Sequence, residues 1–291
     1  MRAIRTISEL REALDRPRRE GRSLGLVPTM GSFHEGHLSI MRRARSECDE
    51  VVVSLFVNPA QFNDKSDLAG YPRDERRDAV LAQAEGVDYL FVPPEREMYP
   101  SGFATTVSVA GVTETLEGAH RGRGHFDGVA TVVTKLLNIV SPHVAYFGGK
   151  DAQQAVVIER LARDLDIPVR IEVCPTIREP DGLALSSRNV LLGADERAQA
   201  TALHRALLAT ASAVRAGEHE AASAKEAGLT ELAAAGLHVD YYELVSTPTM
   251  EPVSRIDGDV MALVAARVGG VRLIDNERIS PAPNTHHARR S

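Results

Sequence analysis

Residues 28–37 read Pro28-Thr29-Met30-Gly31-Ser32-Phe33-His34-Glu35-Gly36-His37. Two histidines spaced by three can present both imidazoles on one side of a first helical turn. The apolar run Leu24–Val27 precedes the segment. Leu38, Ile40, Met41, Ala44 and Cys48 follow it at helical spacing. The segment is therefore expected where a strand hands over to a helix, the edge of a doubly wound sheet at which ligands bind. A helix N-terminus there offers free N–H groups and a favourable dipole to a phosphate. Gly31 and Gly36 permit close backbone approach. The chemistry this suits is stabilisation of charge on a transferring phosphate group by the two imidazoles. The plainer alternative is a solvated histidine pair at a helix start. Zinc is disfavoured, because no Cys or carboxylate is suitably spaced.

Three further polar segments follow apolar runs or turns. Asn58–Phe62 comes after the run Val51–Val57, and its Gln61 can donate and accept hydrogen bonds without carrying charge. Gly148-Gly149-Lys150-Asp151 lies between the strand candidate Val144–Phe147 and a helix candidate whose first turn carries Gln154. Lys150 there suits a point charge on phosphates. Leu185-Ser186-Ser187-Arg188 combines two hydroxyls with a guanidinium, again suited to phosphate oxygens. Each has a bland counterpart: a solvated turn, a surface ion pair, a polar loop with a helix cap.

The elements that must position these groups alternate. A helix is expected from Ser8 to Glu20, with Thr6 and Glu9 in capping-box spacing. Val51–Val57 is almost wholly apolar, as for a strand buried on both faces. A helix is expected over Asp74–Ala84, and a strand over Tyr89–Val92. A more peripheral strand is expected over Thr105–Ala110. The helix Asp127–Val140, the strand Val144–Phe147, the helix Asp151–Leu165 and the strand Val169–Val173 complete a parallel, doubly wound sheet. The pattern changes after Thr176. Two Ala-rich helical stretches, Ala194–Ala216 and His219–Ala235, precede strands at Val239–Val245, Val260–Val268 and Val271–Ile279. Gly269-Gly270 between the last two signals a hairpin. The division expected is a nucleotide- and acid-binding domain over residues 1–176 and a smaller α+β lid domain over residues 177–291. The polar tail 280–291 is expected to be disordered.

Bulk properties narrow the classes. The chain has 291 residues, a formal net charge of −6 and only two cysteines, Cys48 and Cys174. A general nucleic-acid or membrane-surface partner is disfavoured by that charge. An anionic substrate would need a local basic pocket. The opening Met1-Arg2-Ala3-Ile4-Arg5 lacks the apolar run of a signal peptide, and no run of about 18 apolar residues occurs. A cytoplasmic enzyme is the expectation.

His34-Glu35-Gly36-His37 resembles the signature of a nucleotidyl-transferase superfamily that acts at the α-phosphate of a nucleotide. The wider set is similar to the pantothenate synthetase family: Pro28–His37, Phe56-Val57-Asn58-Pro59-Ala60-Gln61-Phe62, Tyr71-Pro72-Arg73, Gly124-His125-Phe126, Phe147–Gln154 and Arg178–Asn189. The resemblance runs in order along nearly the whole chain. It implies a Rossmann-like domain with a smaller second one, and a homodimer. It also implies AMP-forming ligation of pantoate to β-alanine through pantoyl adenylate, with Mg2+ and ATP. The ATP contacts it implies are Met30, Gly31, Ser32, Phe33, His34, Glu35, Gly36, His37, Gly148, Gly149, Lys150, Asp151, Ile177, Leu185, Ser186, Ser187 and Arg188. Gln61 and Gln154 would hold pantoate, Gln61 also β-alanine. His37 would be a proton donor, with His34, Lys150 and Arg188 catalytic beside it. Asp78 would lie near Mg2+, although Arg77 stands where some relatives carry an acid. Gly149 and Ala152 depart from the family's Glu and aromatic, and Leu185 from its Met. Two alternatives stay open: a nucleotidyl transferase with another acceptor, which would explain His34 and His37 but not Gln61 with Gln154, and a catalytically impaired nucleotide-binding homologue, to which Gly149 and Ala152 point.

Overall fold

Six parallel strands form the main sheet: β1 (Arg2–Ile4), β2 (Leu24–Thr29), β3 (Glu50–Leu55), β4 (Tyr89–Phe91), β5 (Val144–Gly148) and β6 (Arg170–Cys174). Their spatial order is β1-β4-β3-β2-β5-β6. The computed structural model describes residues 1–63 and 65–281, so most of the tail expected to be disordered lies outside the described residues. The helices of this part are α1 (Ile7–Arg19), α2 (Glu35–Glu47), α3 (Lys65–Gly70), α4 (Glu75–Ala84), α5 (Glu95–Met98), α6 (Glu117–Arg121), α7 (Arg123–Val140) and α8 (Ala152–Asp164).

Local sequence explains several of these boundaries. Thr6 Oγ1 accepts the Glu9 N–H, and the Glu9 carboxylate accepts the Thr6 N–H, a complete capping box at the start of α1. Val51, Val52 and Val53 are fully buried, as a central parallel strand requires. Two cores follow from the winding. One, with Leu10, Leu14, Val133, Leu137 and Ile158, packs α1, α7 and α8 on one face. The other, with Met41, Ala44, Val53 and Ala82, packs α2 and α4 on the opposite face.

From β2 the chain winds to β3 and β4 on one side, then crosses to β5 and β6 on the other. The crevice beyond the carboxyl ends of β2 and β5 is therefore the switch point of the sheet. Leu24–Thr29 pairs in step with Glu50–Leu55, and Leu26 pairs with Ala145. The pairing with β3 ends with Thr29 beside Leu55. The turns that follow these three strands thus emerge side by side.

The expected strand Thr105–Ala110 is not formed. Val107 N–H donates to Thr131 Oγ1 at 3.0 Å and Ser108 Oγ to Asp127 at 2.6 Å. The segment is strapped to α7 through side chains and has no neighbouring strand to pair with. The edge strand β1 is too short, at three residues, to show a period.

The structure divides into two compact units. The first is Met1–Ile177 with Leu185–Ser187; the second is Arg178–Ala184 with the chain from Arg188 onward. Leu185–Ser187, which follow the expected boundary at 176/177, belong to the first unit because the Leu185 N–H bonds the Ile177 carbonyl at 2.9 Å. The second unit carries an antiparallel sheet of β7 (His238–Ser246), β8 (Val260–Val268) and β9 (Val271–Ile279), with the Gly269-Gly270 turn between the last two. Its helices are α9 (Ala194–Ala200), α10 (Ala202–Arg215) and α11 (Ala221–Ala234). The first expected Ala-rich helix is interrupted at Thr201, whose hydroxyl bonds the Ala198 carbonyl.

Candidate active site

The turn after β2 is locked from beneath. Gly31 (φ 89°) and Ser32 (φ 55°) both adopt the left-handed conformation. This aims the Ser32 and Phe33 N–H groups at one carboxylate, that of Asp78, at 2.7 and 2.8 Å. A Cβ on Gly31 would lie 2.9 Å from Asp78 Oδ2, so glycine is required there on both counts. Asp78 is only 1% exposed. Both its oxygens accept backbone N–H groups, so the carboxylate anchors the turn. Among the described residues, no group of three or more His, Cys, Asp or Glu could hold a metal ion.

His34 is the N-cap of α2. Its Nδ1 accepts the Gly36 N–H at 3.2 Å, and His37 Nδ1 accepts the His34 N–H at 3.4 Å. A Cβ on Gly36 would lie 2.9 Å from His34 Cε1, so the glycine makes room for the ring. The two imidazoles stand 4.2 Å apart, centroid to centroid. Burial pushes the pKa of His34 down, helped by Lys150 and Arg77 and opposed by Asp151. Burial, with His34 beside it, holds His37 at about 3. Both rings are thus neutral near pH 7. A neutral ring whose Nδ1 accepts must carry its proton on Nε2. The pair therefore offers two N–H donors to an anion, without imidazolium charge. Glu35 turns its carboxylate to Arg42 and leaves only its backbone to the site.

Gln61 sits in the single 3-10 turn Pro59–Gln61 after β3. Asn58, 1% exposed, donates from Nδ2 to Gln61 Oε1 (3.1 Å) and to the Gly128 carbonyl (3.0 Å). Its Oδ1 accepts the Tyr99 hydroxyl at 2.7 Å. Burial raises the Tyr99 pKa to about 12, which keeps that proton in place. With Oε1 tied to Asn58, the NH2 end of Gln61 faces Met30 Sδ, 3.2 Å away. Gly128 lets α7 pack directly on the turn, since a Cβ there would lie 2.3 Å from the Ala60 carbonyl oxygen. His125 Nδ1 bonds the Gln61 backbone carbonyl at 2.8 Å.

On the other side of β2, the 3-10 turn Gly149–Asp151 follows β5, and the charges of Lys150 and Asp151 are both felt at His34. Gln154 is half-buried on the first turn of α8. Gln153, which precedes it, is buried and spent on the loop before α6: it accepts the Glu117 N–H and donates to the Val112 and Thr115 carbonyls. Leu185, bonded to Ile177, reaches the start of α2, its Cβ 4.0 Å from where a Gly36 Cβ would stand. Ser186 and Ser187 continue that segment in the first unit, whereas Arg188 belongs to the second. The first unit thus gathers the loop Met30–His37, Gln61, Lys150, Asp151, Ile177 and Leu185 around the carboxyl edge of the sheet.

Asn58, Tyr99, His125 and Gly128 were not picked out as site residues from the sequence. Asn58 and His125 lie inside segments that did stand out. Tyr99 and Gly128 carry no local signal, because their roles come from partners about 40 to 70 residues away.

Comparison with known proteins bears on this arrangement. The model of the pantoate-beta-alanine ligase family matches residues 2–278. A pantothenate synthetase from Cereibacter sphaeroides is 53% identical over 273 residues, 94% of this chain and 98% of that protein. One from Moorella thermoacetica is 50% identical over 277 residues, 95% of this chain and 98% of that protein. The crystal structure of pantothenate synthetase from Thermus thermophilus superposes with a TM-score of 0.91 at 48% identity, covering 97% of this chain and 100% of that one. A pantoate-beta-alanine ligase from Francisella tularensis, complexed with beta-gamma ATP and beta-alanine, gives 0.78 at 33% identity, covering 95% and 97%. With the paired imidazoles, the anchored glutamine and the lysine turn on adjoining strand ends, and with this likeness along the chain, the protein belongs to the pantoate–β-alanine ligase family.

Proposed function

We propose that the chain joins pantoate to β-alanine at the expense of ATP, releasing AMP and diphosphate through a pantoyl-adenylate intermediate. The observation that carries this reading is the placement of Gln61, its NH2 end turned to Met30 of the histidine loop, and of two neutral imidazole donors on neighbouring strand ends. A neutral amide can hold the pantoate carboxylate without tying up its lone pairs as a bidentate arginine would. That carboxylate must stay nucleophilic to attack the α-phosphorus.

In the first step a pantoate oxygen forms the new bond to the α-phosphorus and the bond to diphosphate breaks. His34 and His37 donate from Nε2 to the phosphate oxygens, and Lys150 supplies positive charge. Gly148, Gly149, Asp151, Ile177 and Leu185 are the proposed backbone and packing contacts of ATP, with Ser186, Ser187 and Arg188 on its phosphates. Gln154 joins Gln61 on pantoate. Mg2+ enters as part of the Mg·ATP substrate, held by phosphate oxygens and water, and no protein ligand is assigned to it. In the second step the amine of β-alanine attacks the acyl carbon and AMP leaves. His37 is the proposed proton donor, and since burial keeps its free ring neutral, the proton it offers is the one on Nε2. Cytoplasmic location and a homodimer belong to the same proposal, on the likeness to the family. Among the described residues no helix is long and apolar enough to cross a membrane.

The test is AMP release from ATP with pantoate and β-alanine each supplied or omitted. AMP and pantothenate should form together only when both acids are present. Release with neither acid would return the chain to the nucleotidyl-transferase alternative. Absence of turnover with both, in folded protein that binds ATP, would identify an impaired homologue whose Gly149 and Ala152 have cost it activity.

A further inference from the structure

The three histidines near the carboxyl edge are wired in two opposite ways. His34 and His37 accept backbone N–H groups at Nδ1, which places their protons on Nε2 and makes them donors. His125 faces a carbonyl instead, the Gln61 backbone oxygen at 2.8 Å. Its Nδ1 must carry the proton, and Nε2 is left as a bare acceptor. Among the described residues, Nε2 of His125 makes no hydrogen bond. The ring is half-buried and rests edge-on against Phe126, 5.1 Å between centroids. The charges that act on it are Arg121 and Glu117 of α6 and Asp151 of the turn after β5. His125 therefore touches the Gln61 turn and feels the charge of Asp151, with its Nε2 left to take up a proton.

We propose that His125 is the general base that removes a proton, through Nε2, from the ammonium group of β-alanine before the amine attacks the acyl adenylate. The proposal rests on the ligase reading above. β-Alanine arrives as a zwitterion and its ammonium cannot act as a nucleophile. One proton passes to Nε2 of His125 and frees the nitrogen lone pair. That pair forms the C–N bond at the acyl carbon, and the C–O bond to the AMP phosphate breaks with its electrons going to oxygen. The nitrogen loses its second proton to the departing phosphate, and His125 returns the first to water. Burial and Arg121 keep the free imidazole neutral and ready to accept, while Glu117 and Asp151 favour the imidazolium once it forms.

The test separates the base from a structural role. His125→Asn can keep a donor to the Gln61 carbonyl but has no Nε2. Pantoate-dependent exchange between ATP and labelled diphosphate reports the first step alone; AMP release on adding β-alanine reports the second. In His125→Asn, which keeps a donor to the Gln61 carbonyl, exchange should stay within a few-fold of the parent. AMP release at pH 7 should fall about 100- to 10,000-fold, as for loss of a general base. The deficit should shrink by about tenfold per pH unit as the free amine becomes the dominant form. Full AMP release by His125→Asn would reduce the residue to a positioning donor and overturn the proposal. So would a parallel fall of exchange and release in His125→Asn. A parent protein with no pantoate-dependent exchange would instead defeat the ligase reading itself.

Discussion

Substituting Gly128 by alanine perturbs the site through a single methyl group that touches no substrate. The added Cβ would stand 2.3 Å from the Ala60 carbonyl oxygen and 2.6 Å from the Gln61 nitrogen, where ordinary contact begins near 3.4 Å. These are backbone atoms, so the turn Pro59–Gln61 and α7 must part by about 1 Å, a shift that overpacking forces on a filled site. The bonds Asn58 Nδ2 to Gly128 O (3.0 Å) and His125 Nδ1 to Gln61 O (2.8 Å) span the same gap and stretch out of hydrogen-bonding range. Alanine favours the helix by about 0.5–1 kcal/mol. Overpacking costs about 1–3 kcal/mol, so the net loss of stability is small. Activity should fall further, because misplacing a binding group by about 1 Å can cost on the order of 100-fold. The assay is kcat and KM for pantoate beside a thermal melt. Gly258→Ala is the control, since its Cβ would meet nothing within 4 Å. A folded Gly128→Ala enzyme with kcat/KM within threefold of the parent would refute the claim that this contact positions Gln61.

Asp78→Asn should destabilise the protein by about 1.5–3 kcal/mol, because a charged acceptor of two backbone N–H groups is replaced by an amide that can accept only one. The Mg2+ concentration for half-maximal rate should stay unchanged; a large shift without loss of stability would give this residue a metal role. His34→Ala and His37→Ala should each lower kcat by about 100- to 1,000-fold, the cost of deleting a donor to developing charge. ATP affinity measured by calorimetry should barely move, and equal losses in both would mark ground-state binding only. The depressed pKa values of both histidines mean that the unfolded chain binds protons that the folded one refuses. Stability should therefore be fully present above pH 6.5 and decline as the pH falls from there towards about 3, the value of His37. The slope is at most about 1.4 kcal/mol per pH unit for each group. Denaturation midpoints of the parent and His37→Gln across that window should converge at low pH; parallel curves would contradict the burial of this imidazole.

Much of this molecule could be read from the order of its residues, because the readable features are local. The capping box of α1 needs only Thr6 and Glu9. The burial of β3 needs only a run of valines, and the strand-to-helix handover at His34 needs only the change of period around it. The hairpin at Gly269-Gly270 is equally local. These features determined the class of sheet and put the histidines, Gln61 and Lys150 at its carboxyl edge. The failures were local signals without a partner: Thr105–Ala110 has the composition of a strand, but α7 offers it a side-chain hydroxyl where another strand would offer a ladder. What only the tertiary structure decided depends on the strand order β1-β4-β3-β2-β5-β6, which brings distant segments together. Asp78 captures amides 46 and 45 positions away, Tyr99 reaches Asn58 across 41, and Asn58 reaches Gly128 across 70. No period or spacing encodes such pairs. That Asp78 accepts two backbone N–H groups is invisible in the sequence, where a carboxylate looks the same whatever it faces. Likewise the direction of each imidazole's proton, which makes His34 and His37 donors and His125 an acceptor, is set by whether an amide or a carbonyl stands opposite Nδ1. That choice exists only once the chain has folded.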